Sequence, residues 1–373
     1  MASNLLQRLS EDQGQSPWVD NLKRAYLADG TLAKLVERGV RGVTSNPTIF
    51  QKAIAGSHDY DAQLGELVKA GNSVEDSYWI MAIDDVRGAC DVLADVATSS
   101  NGVDGYVSLE VSPTLAASTD GTILAARDLH VRVERSNLMV KIPATPQGIP
   151  AIQQIITEGR DINVTLIFSI DRYAAVIEAY IAGLEAYAAS GASDLSSVAS
   201  VASFFISRVD SEVDRRLGVI GTPQAQALIG KAAISQGVLA YQLFLNRFSG
   251  PRWERLAAMG ARPQRPLWAS TSTKNPSFPD TLYVDSLIGP NSVNTLPEPT
   301  LEAFDNHGNL SRTVDATPAI SEAHHNWTAL GAIGIDMDEV AVVLEREGVA
   351  SFTKSFEELL ATMGERSLEF LAN

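Results

Sequence analysis

One cysteine, Cys90, occurs in 373 residues. No disulfide can close within the chain, and no cysteine zinc site can form. Histidine is also sparse, with His58, His130, His307, His324 and His325 scattered along the sequence. The His324–His325 pair stands beside Trp327 and reads as surface or tertiary packing rather than a metal site. Positive charge is scarce: Lys+Arg 29 against Asp+Glu 45 leaves a net −16. That argues against nonspecific binding to nucleic acid or to an anionic membrane, since both reward net positive charge. It does not argue against a small anionic substrate, which responds to a few local basic groups. No apolar run is long enough to span a bilayer. The opening MASNLLQRLSEDQGQSPW has no apolar core of a secretory signal. A cytoplasmic protein is expected, and the glycosylation-like triplets at Asn163, Asn309 and Asn326 are then accidental. No phosphate-cradling P-loop, nucleophile elbow or zinc signature is present. The glycines of LGAIGIDMDE, Gly331 and Gly334, lack the strand–turn–helix setting of a dinucleotide fingerprint.

What is present is an ordinary globular composition, 45% hydrophobic and 20% charged. Short apolar runs alternate with helical stretches. A first strand ends at Asp20, with helical spacing from Leu22 to Arg38. GVRGVTSNPTIF carries a second strand into a turn at Pro47. Val74 to Thr98 reads as one long helix. GYVSLEVS is a third strand, followed by a helical Thr114 to Val133. LMVKIPA is the fourth, with a helix beginning near Pro150. INVTLIFS is the fifth, and Asp171 is the expected N-cap of a helix through Ala189. VASVASFFIS is the sixth, followed by a helical Pro223 to Arg247. RPLWAS and TLYVDSL are read as the seventh and eighth strands. Strand–helix alternation at this length predicts an α/β fold, a (β/α)8 TIM-type barrel, with a doubly wound open sheet as the alternative. Residues 1–373 are expected to form a single barrel domain. Residues 296–373 are expected to be C-terminal helices packed on it. Asp336 and Asp338 read as a helix start, and FEELLATM as an amphipathic helix.

NLMVKIPATPQG, residues 137–148, places Lys141 inside an apolar strand. Either the stem is covered and the charge reaches water or a carboxylate, or the site is chemical. A lysine in apolar surroundings has its neutral amine favoured, and a neutral amine attacks carbonyls to form a Schiff base. Other strands also end in polar groups. These are Asp20, Thr44 with Asn46, Ser108 with Glu110, Asn163 with Thr165, Ser203 and Ser270. Catalytic residues of such barrels lie at the C-terminal ends of the strands. Each polar residue alone could be a satisfied core group, but seven strands delivering one to the same end is hard to explain as packing. The set holds an amine, two carboxylates, hydroxyls and amides, with neither cysteine nor histidine. That suits carbonyl and polyol chemistry without a metal or other cofactor.

TSNPTIF, SLEVSP, NLMVKIPAT, INVTLIFS and SFFISRVD, in this order, resemble the transaldolase family, and the length resembles its longer bacterial form. The likeness runs from Asp20 to about Asn275. It implies Schiff-base transfer of a dihydroxyacetone unit from a ketose phosphate to an aldose phosphate in the non-oxidative pentose phosphate pathway. Donors would be fructose 6-phosphate or sedoheptulose 7-phosphate, and acceptors erythrose 4-phosphate or glyceraldehyde 3-phosphate. By this resemblance Lys141 is the Schiff-base lysine, and Asp20 takes the proton of the substrate C4 hydroxyl. Glu110 and Thr165 hold a water that relays protons during dehydration. Asn46, Asn163 and Ser203 bind sugar hydroxyls, and Thr44 and Ser108 line the same pocket. Arg208 holds the phosphate. The sequence departs from the family pattern after the seventh strand. A serine closely followed by a second arginine is expected there, and WASTSTKN offers Ser270 and, after a longer spacing, Lys274. A lysine binds phosphate as a point charge rather than a fork. Two other readings are a Schiff-base aldolase that releases the unit, and a catalytically silent sugar-phosphate sensor. Related short aldolases, by the same resemblance, use a tyrosine-bound water and lack this glutamate. Retention of Lys141, Glu110 and Asp20 speaks against the sensor. Sugar phosphates are the expected partners, with a monomer or homodimer and neither nucleic acid nor membrane.

Overall fold

Eight parallel strands close into a barrel in strict sequence order in the computed structural model, which describes residues 4–372. They are β1 Gln15–Val19, β2 Val43–Thr44, β3 Val107–Glu110, β4 Leu138–Pro143, β5 Ile162–Ile167, β6 Ser200–Phe205, β7 Arg265–Ala269 and β8 Ser292–Leu296. Strand β8 pairs with β1 from Gln15↔Ser292 to Val19↔Leu296, which completes the ring. Every strand residue except Arg265 is buried. Parallel strands covered on both faces usually read as unbroken apolar runs. Here polar residues interrupt the runs at spacings of two, as in Ser108/Glu110 and Asn163/Thr165. A spacing of two puts both side chains on one face of a strand. On the opposite face Phe204 of β6 and Trp268 of β7 meet edge-on at 6.2 Å, and Phe204 packs on Tyr173 of the helix Ile170–Ala189 at 5.8 Å, all three fully buried.

The helices start where side chains can satisfy free backbone N–H groups. Ser73 caps Val74–Val92, Ser118 caps Thr119–Val133, and Asn46 caps Pro47–Ala55 with Pro47 at the first helical position. Pro47 therefore begins a helix rather than sitting in an isolated turn. The N-cap expected at Asp171 belongs to Ser169, whose Oγ accepts from the Arg172 N–H at 3.0 Å. Asp171 lies in the first turn, where its charge suits the helix dipole. Three stretches read as continuous are broken. Gly30, at φ 74°, separates Arg24–Ala28 from Thr31–Glu37. Leu93 parts Val74–Val92 from Ala94–Ser99. Pro223–Gln226 precedes Ala232–Arg247.

The eighth strand is not TLYVDSL. That stretch forms the helix Leu282–Ser286, with Thr281 Oγ1 donating to Asp285 Oδ2 at 2.7 Å across one turn and Tyr283 Oη donating to Asp210 at 2.9 Å. The true strand, SVNTL, carries only two apolar residues, so its pattern is weak. Three helices follow it: Glu298–His307, Thr317–Ala332 and Met337–Ala372. Asp336 Oδ1 accepts from the N–H groups of Asp338 and Glu339, both at 3.0 Å, and starts the last helix as expected. This helix returns to the end of the barrel where the strands finish and lies along Pro47–Ala55. Thr48 and Ser355 join at 2.8 Å, Gln51 donates to Glu358 at 2.8 Å, and Arg366 donates to the carbonyls of Ile54 and Ala55 at 2.9 and 2.8 Å.

Gly148 fixes how β4 leaves the barrel. A Cβ there would lie 1.9 Å from the Pro143 carbonyl oxygen, the last residue of the strand that carries Lys141. Gly148→Ala is expected to lower stability by about 1–3 kcal/mol through overpacking. Urea unfolding should show a reduced midpoint, and an unchanged midpoint would contradict this view of the β4 exit.

Candidate active site

Strand register brings the chemical groups together. Glu110 at the end of β3 pairs with Lys141 of β4, and Lys141 pairs with Asn163 of β5. Lys141 Nζ stands 3.3 Å from Glu110 Oε2 and donates to the Ser45 carbonyl at 3.1 Å. Both side chains are almost wholly withdrawn from solvent, at 5% and 4% exposure. Glu110 Oε2 and Thr165 Oγ1 are buried atoms without a hydrogen-bond partner in the protein. Asp20, just past β1, accepts from Thr44 Oγ1 at 2.7 Å, and Thr44 meets Thr295 of β8 at 2.5 Å. Ser203 donates to Asn163 Oδ1 at 2.7 Å, and Asn163 Nδ2 donates to Ser108 at 2.9 Å. That chain links β6, β5 and β3 and fixes the amide orientation of Asn163.

A cavity of about 370 Å³ opens over these groups at the C-terminal end of the barrel. Asp20, Thr44, Asn46, Lys141, Ser203 and Arg208 line it, and so do Ser270 and Lys274. Eight of the twelve residues singled out in the sequence thus share one cavity. The other four, Ser108, Glu110, Asn163 and Thr165, are buried beside it and do not form its wall. Asn46 has two tasks, since its Oδ1 already accepts from Ile49 N–H at 3.0 Å as a helix cap.

The wall also contains residues the sequence reading missed. Thr48 and Lys52 project from the helix that Asn46 caps, and their spacing of four in SNPTIFQK is the signal that could have found them. Thr295 was missed because the eighth strand was assigned to the wrong stretch. Phe352 arrives from the final helix, where the sequence marks it only as one more apolar position.

Arg208 lies in the first turn of the helix Ser207–Ile220, with its guanidinium 5.2 Å from the Phe205 ring and 5.8 Å from the Phe352 ring. Ser270 has a left-handed backbone, φ 56°, and meets Ser207 Oγ at 2.9 Å. Lys274 Nζ donates to Ser272 at 2.6 Å. Among the described residues, Arg208, Lys274 and Lys52 have no carboxylate within ion-pair distance. In a chain of net charge −16, these three cations give one cavity a locally positive wall.

Burial dominates the titration of the site. It pushes the carboxyl of Asp20 above its ordinary range, opposed by the charge of Lys141 and the Thr44 hydroxyl. Glu110 is raised for the same reason, again opposed by Lys141. Burial lowers Arg208 and Lys274, and the nearby charges of Arg208 and Lys52 lower Lys274 further.

A family model described as Transaldolase/Fructose-6-phosphate aldolase matches residues 17–363. A transaldolase of Parafrankia sp. (strain EAN1pec) is 52% identical over 354 residues, covering 95% of each chain. One of Frankia alni is 51% identical over 365 residues, 98% of each chain. One of Thermobifida fusca is 50% identical over 357 residues, 95% of this chain and 96% of that one.

The raised carboxyl of Asp20 has a consequence for stability. A folded-state pKa above the unfolded value of 3.8 contributes stability at low pH, and that contribution is lost as pH rises through the folded value. Asp20→Asn removes the buried charge. Its stability relative to the native chain should therefore rise between about pH 4 and about pH 7. Urea midpoints of the two proteins at both pH values measure this. A difference that is constant, or that falls with pH, would show that Asp20 is not raised.

Proposed function

The chain belongs to the transaldolase/fructose-6-phosphate aldolase family, and we propose that within it the protein is a transaldolase. The observation that carries this reading is the buried Lys141–Glu110 pair at the foot of a cavity that also holds Asp20 and an unpaired arginine. The donor is a ketose phosphate such as fructose 6-phosphate, and the acceptor is an aldose phosphate such as erythrose 4-phosphate.

The Lys141 amine attacks the ketose carbonyl to give a carbinolamine. Dehydration needs a proton delivered to the departing hydroxyl. Thr165 Oγ1, without a hydrogen-bond partner, and Glu110 Oε2, held only by its ion pair with Lys141, fit a shared water that relays it. The protonated imine is then an electron sink. Asp20 accepts the proton of the C4 hydroxyl, the C3–C4 bond breaks, and the shorter aldose phosphate leaves. The three-carbon unit remains on Lys141 as an enamine. It attacks the carbonyl carbon of the incoming aldose phosphate, and the steps run in reverse to release the longer ketose phosphate. Thr44 holds Asp20 in place, and Asn163 and Ser203 meet the sugar hydroxyls. Arg208, Ser270 and Lys274 receive the phosphate, helped by the N-terminus of the helix Ser207–Ile220.

On the same reading the C-terminal helices belong to the barrel domain and the enzyme works in the cytoplasm without a cofactor. Among the described residues no helix is long and apolar enough to cross a membrane.

Incubation with fructose 6-phosphate and erythrose 4-phosphate should yield sedoheptulose 7-phosphate. Release of free dihydroxyacetone in its place would favour an aldolase. The two carboxylates should also separate in single-turnover trapping with fructose 6-phosphate. Asp20→Asn is expected to accumulate the six-carbon adduct on Lys141 while cleaving it slowly. Glu110→Gln should form little adduct at early times. Each loss should be on the order of the hundred- to ten-thousand-fold that a general base supplies. Equal adduct at equal rates in both variants would contradict the division of roles.

A further inference from the structure

The final helix, Met337–Ala372, docks on the barrel through a stripe of positions three and four apart. Val340 and Leu344 begin it, both buried, and Gly348 continues it, where an added Cβ would come within 3.0 Å of Leu166. Phe352 follows one turn on, then Ser355, bonded to Thr48 at 2.8 Å, and Phe356, set edge-on to Tyr78 at 5.3 Å. Leu359 and Met363 continue the stripe, fully buried. Phe352 differs from its neighbours on this stripe. As buried as Phe356, it alone among them lines the cavity over Lys141. The ring centroid lies 6.0 Å from Lys141 Nζ and 5.8 Å from the Arg208 guanidinium carbon. Most of the other residues of that wall are polar or charged.

We propose that Phe352 shields the intermediate on Lys141 from water and so sets the balance between transfer and release. The inference rests on the transaldolase reading. After the first cleavage the three-carbon enamine must wait while one aldose phosphate leaves and another enters. Its wasteful exit takes two solvent-dependent steps. A proton from water adds to the nucleophilic carbon and gives the iminium. Water then adds to the iminium carbon, the C–N bond breaks, dihydroxyacetone departs and the Lys141 amine is restored. Excluding water from a reactive intermediate suppresses such side reactions. The aromatic face also favours a cation at about 6 Å, which suits both the iminium and Arg208. The shield depends on the docked stripe, which gives the C-terminal helix a role in the outcome of the reaction.

The test measures free dihydroxyacetone and sedoheptulose 7-phosphate made from fructose 6-phosphate and erythrose 4-phosphate. Phe352→Ala should raise the ratio of release to transfer about tenfold or more, because solvent then reaches the intermediate. Phe352→Leu and Phe352→Val keep an apolar seat but shorten it, and should rise in order of the volume removed. They carry the comparison if Phe352→Ala does not fold. A merely structural role would lower both products together and leave the ratio flat, and a flat ratio across the folded variants overturns the proposal. A native protein that makes no sedoheptulose 7-phosphate would instead overturn the transaldolase reading.

Discussion

The site depends on keeping one ammonium and one carboxylate side by side out of water. Lys141 and Glu110 stand on paired strands, 3.3 Å apart, with almost no exposure. Such a pair is weak evidence of stability, because desolvating both charges costs about as much as their attraction returns. Losing either partner leaves an uncompensated buried charge, at a cost of about 3–5 kcal/mol. Each therefore makes the other tolerable inside the barrel. Burial also raises the carboxyls of Glu110 and Asp20, each opposed by the charge of Lys141.

Register is what makes the pairing possible. In a parallel barrel the side-chain period is two, so shifting β4 by one residue would turn Lys141 outward into the helical layer. The same constraint orders the Ser108–Asn163–Ser203 chain and aims Asp20 at Thr44. The final helix supplies what the strands lack. It closes one side of the cavity with an aromatic ring, and its seat against Pro47–Ala55 joins the two ends of the chain at the site.

The barrel could be read from the alternation of strands and helices, and its catalytic end from polar residues that interrupt apolar runs. Lys141, Glu110 and Asp20 stood out because charge in such runs is costly. The eighth strand could not be read this way, since SVNTL has too few apolar residues to signal a strand, whereas TLYVDSL has enough to mimic one. Thr295 was lost with it. Helix interruptions at Gly30 and Leu93 depend on tertiary packing that spacing does not record. Phe352 was invisible for another reason. It reaches the site from the final helix, far from its strands in sequence, and nothing local in that stretch distinguishes a residue facing the cavity from one facing core or solvent. Ser270 and Lys274, singled out where the family pattern departs, do share the cavity with Arg208.

The central claim is that Lys141 is the nucleophile. Borohydride reduction of the protein in the presence of fructose 6-phosphate, followed by peptide mass analysis, tests it most directly. A reduced dihydroxyacetone adduct on the peptide containing Lys141 is the predicted result. An adduct on another lysine, or none on any, would contradict it.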